Sequence, residues 1–158
     1  MSKIFETNSE IIELAKKEWS ETGLEHLGIN LKLISVPKAK FVLKVNRANA
    51  TTNFLTKNDL IITVYEEAFE RLPEGHKRIL MEGCMSNISY NSERDKIIVD
   101  TEFSHELFRM RHKYDNYVDI AEEAEIIINQ IEEEEKERKE AEKAQKAAAR
   151  EAKKKNHN

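Results

Sequence analysis

The sequence predicts an α+β domain, in which a small, mostly antiparallel sheet packs with helices and is followed by a long charged C-terminal helix or tail. Apolar residues recur at every second position through Ile29, Leu31 and Leu33, and again through Phe41, Leu43 and Val45, the alternation of half-buried strands. They recur at helical spacing from Tyr117 to Ile131, and beyond Ile131 no large apolar residue occurs. A chain of 158 residues holds one domain of ordinary size plus an appendage. With 39% hydrophobic and 35% charged residues, against roughly 45–50% and ~25% in an average soluble domain, its core is small for its length.

Thr7-Asn8-Ser9-Glu10 has the form of a capping box: a hydroxyl accepts from a first-turn amide and the glutamate returns the bond, so a helix starts there. Ile11, Ile12, Ala15 and Trp19 share one face of it, and Gly23 offers a left-handed stop. Strands follow over 29–33 and 41–45, separated by Pro37, and Asn46 to Asn58 reads as loop. Leu60 to Val64, rich in β-branched residues, is a third strand. Tyr65 to Leu72 has helical composition, and Pro73 suits the first turn of a further helix. In that helix, over 76–88, Ile79, Leu80, Cys84 and Ile88 share a surface. Asn91 to Asp95 is turn chemistry and Lys96 to Asp100 a short strand. Ser104 can cap a helix whose inward residues are Phe103, Leu107 and Met110. From Tyr117 a last helix carries Val118, Ala121, Ala124, Ile127, Ile128 and Ile131 as its apolar stripe. The compact domain therefore spans 1–131. Residues 132–158, with nothing left to bury, form a charged, solvated helical extension that ends disordered.

The net charge of −4 conceals segments of opposite sign. Residues 1–28 sum to −3, 29–58 to +6 with no acidic group, 59–120 to −5, 121–142 to −7 and 143–158 to +5. Fields act over about 10 Å at ordinary salt, so this segmentation matters more for partners than the total. The longest apolar runs fall far short of the ~20 residues that span a bilayer, and no signal region is visible. The single Cys84 cannot close an internal disulfide. A cytoplasmic protein without membrane contact is the expectation.

Motifs that would carry chemistry are missing. The four glycines stand far apart, which excludes a phosphate-cradling loop, and no nucleophile elbow occurs. His76 precedes Cys84 by eight residues, roughly 80° away around an ideal helix, so Cys84 reads as a small buried thiol. His105-Glu106 has Arg109 where a zinc helix needs its second histidine, and His112 lies about 10.5 Å along the axis. Glu66-Glu67 and Glu122-Glu123 read as solvated helix faces. No catalytic residue, metal ligand or cofactor is assigned.

The acid-free stretch 29–58 is the most informative feature. Lys32, Lys38, Lys40, Lys44, Arg47 and Lys57, with Phe41 and Phe54 as stacking groups, give strands and a loop with a positive face. It can meet an acidic protein, a nucleic-acid backbone or this chain's own acidic segment 121–142, and a positive edge also guards a sheet against aggregation.

Leu60 to Asp100, LIITVYEEAFERLPEGHKRILMEGCMSNISYNSERDKIIVD, resembles small phage-encoded proteins of unassigned role, some labelled metallopeptidase-like. The resemblance covers about a quarter of the chain and rests on a strand–helix–turn–helix–strand layout. It would place Met81-Glu82-Gly83-Cys84-Met85 where a zinc-binding HExxH helix stands, keeping the glutamate as Glu82 and replacing both ligands by Met81 and Met85. Thioethers are poor zinc ligands, and Glu82 without a metal-bound water has no proton to take. The resemblance implies a phage-type protein in a host cytoplasm. The sequence reading is a non-catalytic accessory protein that binds a macromolecule, a protein in preference to nucleic acid, through Lys32, Lys38, Lys40, Phe41, Lys44 and Arg47. Nucleic-acid binding by region 29–58 and a divergent metallopeptidase-like hydrolase are the alternatives.

Overall fold

Leu60, Ile62 and Val64 are wholly buried, and the rest of the domain is arranged around the strand that carries them. The structure, a computed structural model, describes residues 3–157. Its elements are α1 (Ser9–Thr22), a 3₁₀ turn (Leu24–Leu27), β1 (Leu31–Val36), β2 (Leu43–Arg47), α2 (Ala50–Thr56), β3 (Leu60–Tyr65), α3 (Glu66–Glu70), α4 (Glu74–Met85), β4 (Ile88–Asn91), β5 (Lys96–Val99), α5 (Phe103–Lys113) and α6 (Tyr117–Asn156). The fold is α+β. β3 is the centre of a three-stranded sheet of order β1-β3-β2, parallel to β1 and antiparallel to β2, while β4 and β5 form a separate antiparallel hairpin. The sheet is thus mixed, because the chain passes through β2 and α2 before β3 inserts beside β1.

One core joins Ile11, Ala15 and Trp19 of α1, the inward residues of the sheet, Ala68 and Phe69 of α3, Met81, Cys84 and Met85 of α4, and Ala124, Ile127, Ile128 and Ile131 of α6. A smaller cluster, Ile79, Met110, Tyr117 and Ile120, locks α4, α5 and α6 together. Tyr117 lies across Gly83: a Cβ at that position would stand 2.1 Å from the Tyr117 hydroxyl oxygen, so only glycine lets the two helices approach this closely.

Several expectations need correction. The N-cap of α1 is Asn8, whose Oδ1 accepts from the Glu10 amide at 2.8 Å. The return bond comes from a distant residue, since Asn8 N donates to Glu66 Oε1 at 2.5 Å. The buried Ser35 hydroxyl lies 2.9 Å from both that carboxylate oxygen and Thr7 Oγ1, fixing the same corner. The expected loop 46–58 contains α2, capped by Asn49 through Thr52 N and ended by Lys57 at φ 62°. Ile88 belongs to β4, because the helix ends at Met85. Phe103 is 55% exposed rather than inward, and Ser104 lies inside α5, which starts without a side-chain cap. Tyr117 and Ile120 take the buried face of α6 where Val118 and Ala121 were expected, leaving those two half-buried. The helix continues to Asn156 where the sequence predicts lost order, although no described residue after Ile131 is buried.

A candidate binding groove along an edge strand

β2 has one bonded side and one open side, and backbone geometry says which residues face the opening. Tyr65 N donates to Val42 O and Ala48 N to Asp59 O, both at 2.9 Å. Between those bonds Lys44 pairs with Thr63 and Asn46 with Ile61. Antiparallel ladders bond through every second residue, so 42, 44, 46 and 48 spend their backbone groups on β3. Leu43, Val45 and Arg47 direct theirs to the free side, and no described strand pairs there. β5 approaches β2 without joining the sheet. The opposite edge is bridged at one point: Phe5 N donates to Ser35 O and Ser35 N to Phe5 O, each at 3.0 Å, so the N-terminal segment meets β1 near its end.

Two adjoining hollows of about 260 and 240 Å³ run along the open edge. The first is lined on the strand side by the consecutive residues Lys40 to Leu43, the second by Leu43 to Asn46. Successive strand residues point to opposite faces, so consecutive lining residues mean that the hollows follow the strand's edge. The far wall is Phe103 and Glu106 of α5 throughout, joined by Leu80, Tyr117, Ala124 and Glu125 at one end and by Asp100 and Glu102 at the other. The two hollows share Leu43, Cys84, Phe103 and Glu106 and so form one continuous groove.

The wall is held rigidly. Glu106 accepts from Asn87 Nδ2 at 2.7 Å and from the Tyr117 hydroxyl at 2.8 Å. Burial, then the nearby Glu106 carboxylate, raises the Tyr117 phenol well above its ordinary pKa, so it remains a donor. Arg109 bonds Asp100 at 3.2 Å and also reaches Asn87. Asp100 lies below the usual carboxylate range, first through the Glu102 amide and then through His105 and Arg109. Cys84, at the floor, is buried, and burial raises its thiol far above neutrality, so it is not an activated nucleophile.

The sequence-derived binding residues divide into three groups. Lys40, Phe41 and Lys44 line the groove. Lys44 stands 5.6 Å from the Phe41 ring centroid and, like Arg47 at the end of β2, has no ion-pair partner among the described residues. Lys38 and Lys40 extend to the acidic helix, with Lys38 3.6 Å from Glu135 and Lys40 2.6 Å from Glu132. The Lys40 hydrogen bond is the main reason that Glu132 titrates below its ordinary range. Lys32 lies on β1, across β3 from the groove, and pairs with Glu6 at 3.3 Å. The sequence missed the far wall. Glu102, Glu106 and Glu125 carry no local pattern that distinguishes them from the other carboxylates, and Phe103 was assigned to the core.

Glu82 offers no hydrolytic arrangement. Its carboxylate accepts from Tyr114 Oη at 2.6 Å and from Lys113, with Met81 and Met85 buried on either side. Burial would raise its pKa, but the bonds from Lys113 and Tyr114 and the charge of Arg78 outweigh that and lower it. Among the described residues no three His, Cys, Asp or Glu side chains are grouped so as to hold a metal ion. Among the described residues no helix is long and apolar enough to cross a membrane. Compared with protein-family models, with curated proteins and with solved structures, the chain matches none, and the phage-type resemblance of Leu60 to Asp100 draws no support from them.

Proposed function

We propose that this chain is a non-catalytic accessory protein that binds a protein partner, with the edge of β2 and its groove as the contact surface. The observation that carries the reading is the two-signed character of that surface. Lys40 and Lys44 contribute to its strand side, while Glu102, Glu106 and Glu125 contribute to the facing wall. A phosphate backbone drawn to the lysines would meet those carboxylates, which disfavours nucleic acid. A polypeptide carries both signs and can satisfy both walls. Because Lys38 and Lys40 are already engaged by α6, the free positive charge is that of Lys44 and Arg47.

The test compares partners recovered from the natural cell by the wild-type protein and by a Lys44→Glu/Arg47→Glu variant, identified by mass spectrometry. Both positions are exposed, so the fold should survive. The expected result is a set of proteins that withstands nuclease treatment and disappears with the charge reversal. An unchanged set, or retention of nucleic acid alone with gel shifts that weaken steeply as salt rises, would remove the reading.

A further inference from the structure

Resting on that reading, we infer that β2 binds its partner by strand addition: an extended segment of the partner pairs with the free edge, its apolar residues alternating with acidic ones. Three observations converge on this occupant. The backbone groups of Leu43, Val45 and Arg47 face the opening with no strand among the described residues to receive them, a row of donors and acceptors at the spacing an added strand matches. The hollow beside it is lined by Phe41, Leu80, Phe103, Ala124 and Ile128, which fits an apolar side chain entering from alternate positions of the added strand. Lys44 is exposed on the other face, and its cross-strand neighbour is favoured if acidic.

The same charges argue against a second copy of this chain. Two β2 edges brought together would set Lys44 and Arg47 of each against those of the other, and neither has an ion-pair partner among the described residues to relieve it. Protection against aggregation explains an exposed lysine on an edge, but not the apolar hollow and fixed wall beside it.

The experiment selects from a random heptapeptide library displayed on phage, using the full-length protein as target, and measures chosen peptides by fluorescence anisotropy. The expected result is enrichment of alternating apolar and acidic residues. N-methylating one alternate set of backbone amides in such a peptide should weaken binding by about tenfold or more, the loss of roughly 1.4 kcal/mol, while methylating the other set should leave it nearly unchanged. Phe103→Ala, at an exposed position, should weaken binding similarly, and Lys44→Glu should shift the selected peptides from acidic to basic. Absence of binders, binders without alternation, or equal tolerance of both methylated forms would overturn strand addition. So would a dimer in sedimentation that Phe103→Ala dissolves, which assigns the edge to a second copy. If strand addition fails while cellular partners still depend on Lys44 and Arg47, the protein-binding reading stands. If peptides bind as expected but no cellular protein is lost with the charge reversal, that reading fails instead.

Discussion

From Tyr117 to Ile131, α6 buries Tyr117, Ile120, Ala124, Ile127, Ile128 and Ile131; from Glu132 to Asn156 it buries no described residue. The backbone is the same helix throughout, but the first half is held by packing and the second by its own neighbours. Glu135 and Lys139 pair at 3.0 Å, and Glu132–Lys136, Glu134–Arg138, Glu142–Lys146 and Glu151–Lys155 repeat the same spacing and polarity. Such pairs contribute about 0.2–0.5 kcal/mol each, whereas a buried isoleucine is worth several times that. The lesson is that helical form alone does not mark the boundary of a domain. Burial stops at Ile131, and contact with the rest of the fold continues for one more turn through the bonds of Lys40 to Glu132, Arg71 to Glu134 and Lys38 to Glu135.

The sharpest way to break the comparison is to truncate side chains in both halves. Ile128→Ala should lower the unfolding free energy by about 2–5 kcal/mol in urea titrations. Ala148→Gly in the bare half should cost local helicity in circular dichroism and leave the unfolding midpoint unmoved. Equal shifts would mean that the extension is part of the cooperative unit.

Next in size is the crossing of α6 over α4. Gly83→Ala should destabilise by about 1–3 kcal/mol, because Tyr117 is buried and bonded to Glu106 and cannot swing away. Combining it with Tyr117→Leu should cost less than the two separate losses together, the mark of direct contact in a double-mutant cycle.

A smaller effect concerns acid. Glu82 has a lowered folded pKa, so its contribution is complete above the ordinary carboxylate range near ~4.3 and is lost as pH falls through the lowered value. Lys113→Met should therefore reduce stability by no more than about 1 kcal/mol near neutrality, with the difference from wild type closing as the pH falls below ~4. A difference that grows on acidification would reverse that assignment.

The smallest effect is that of salt. At 1 M the screening length is about 3 Å, so the exposed pairs of the bare half weaken. The helical signal should fall modestly, and a protein ending at Lys139 should show a smaller fall.

Much of this organisation was legible from the chain alone. The β-branched run Leu60 to Val64 reads as a strand and forms β3, and the stop at Gly23 has the expected left-handed backbone, with φ 76°. The last helix begins at Tyr117 as read, and its burial ends at Ile131. Those features depend on residues within a few positions of one another. Of the candidate binding surface, the lysines and Phe41 were visible as an acid-free run, but not that Lys32 would stand on the other side of β3 or that Lys38 and Lys40 would be taken up by α6. Nor could the spacing of Asn46 to Asn58 outweigh its polarity, although Asn49 supplies the cap that starts α2.

The sequence by itself determined the class of fold, the segmentation of charge and the point at which the apolar residues run out, because periodicity and composition are properties of neighbouring residues. Tertiary structure alone decided that β3 inserts between β1 and β2, that Glu66 completes the cap at Asn8, that Gly83 admits Tyr117, and that the free edge of β2 lies beside a groove walled by α5. These are choices among contacts between residues far apart in the chain, and they are settled by which arrangement buries the apolar faces together while giving the buried polar groups their partners.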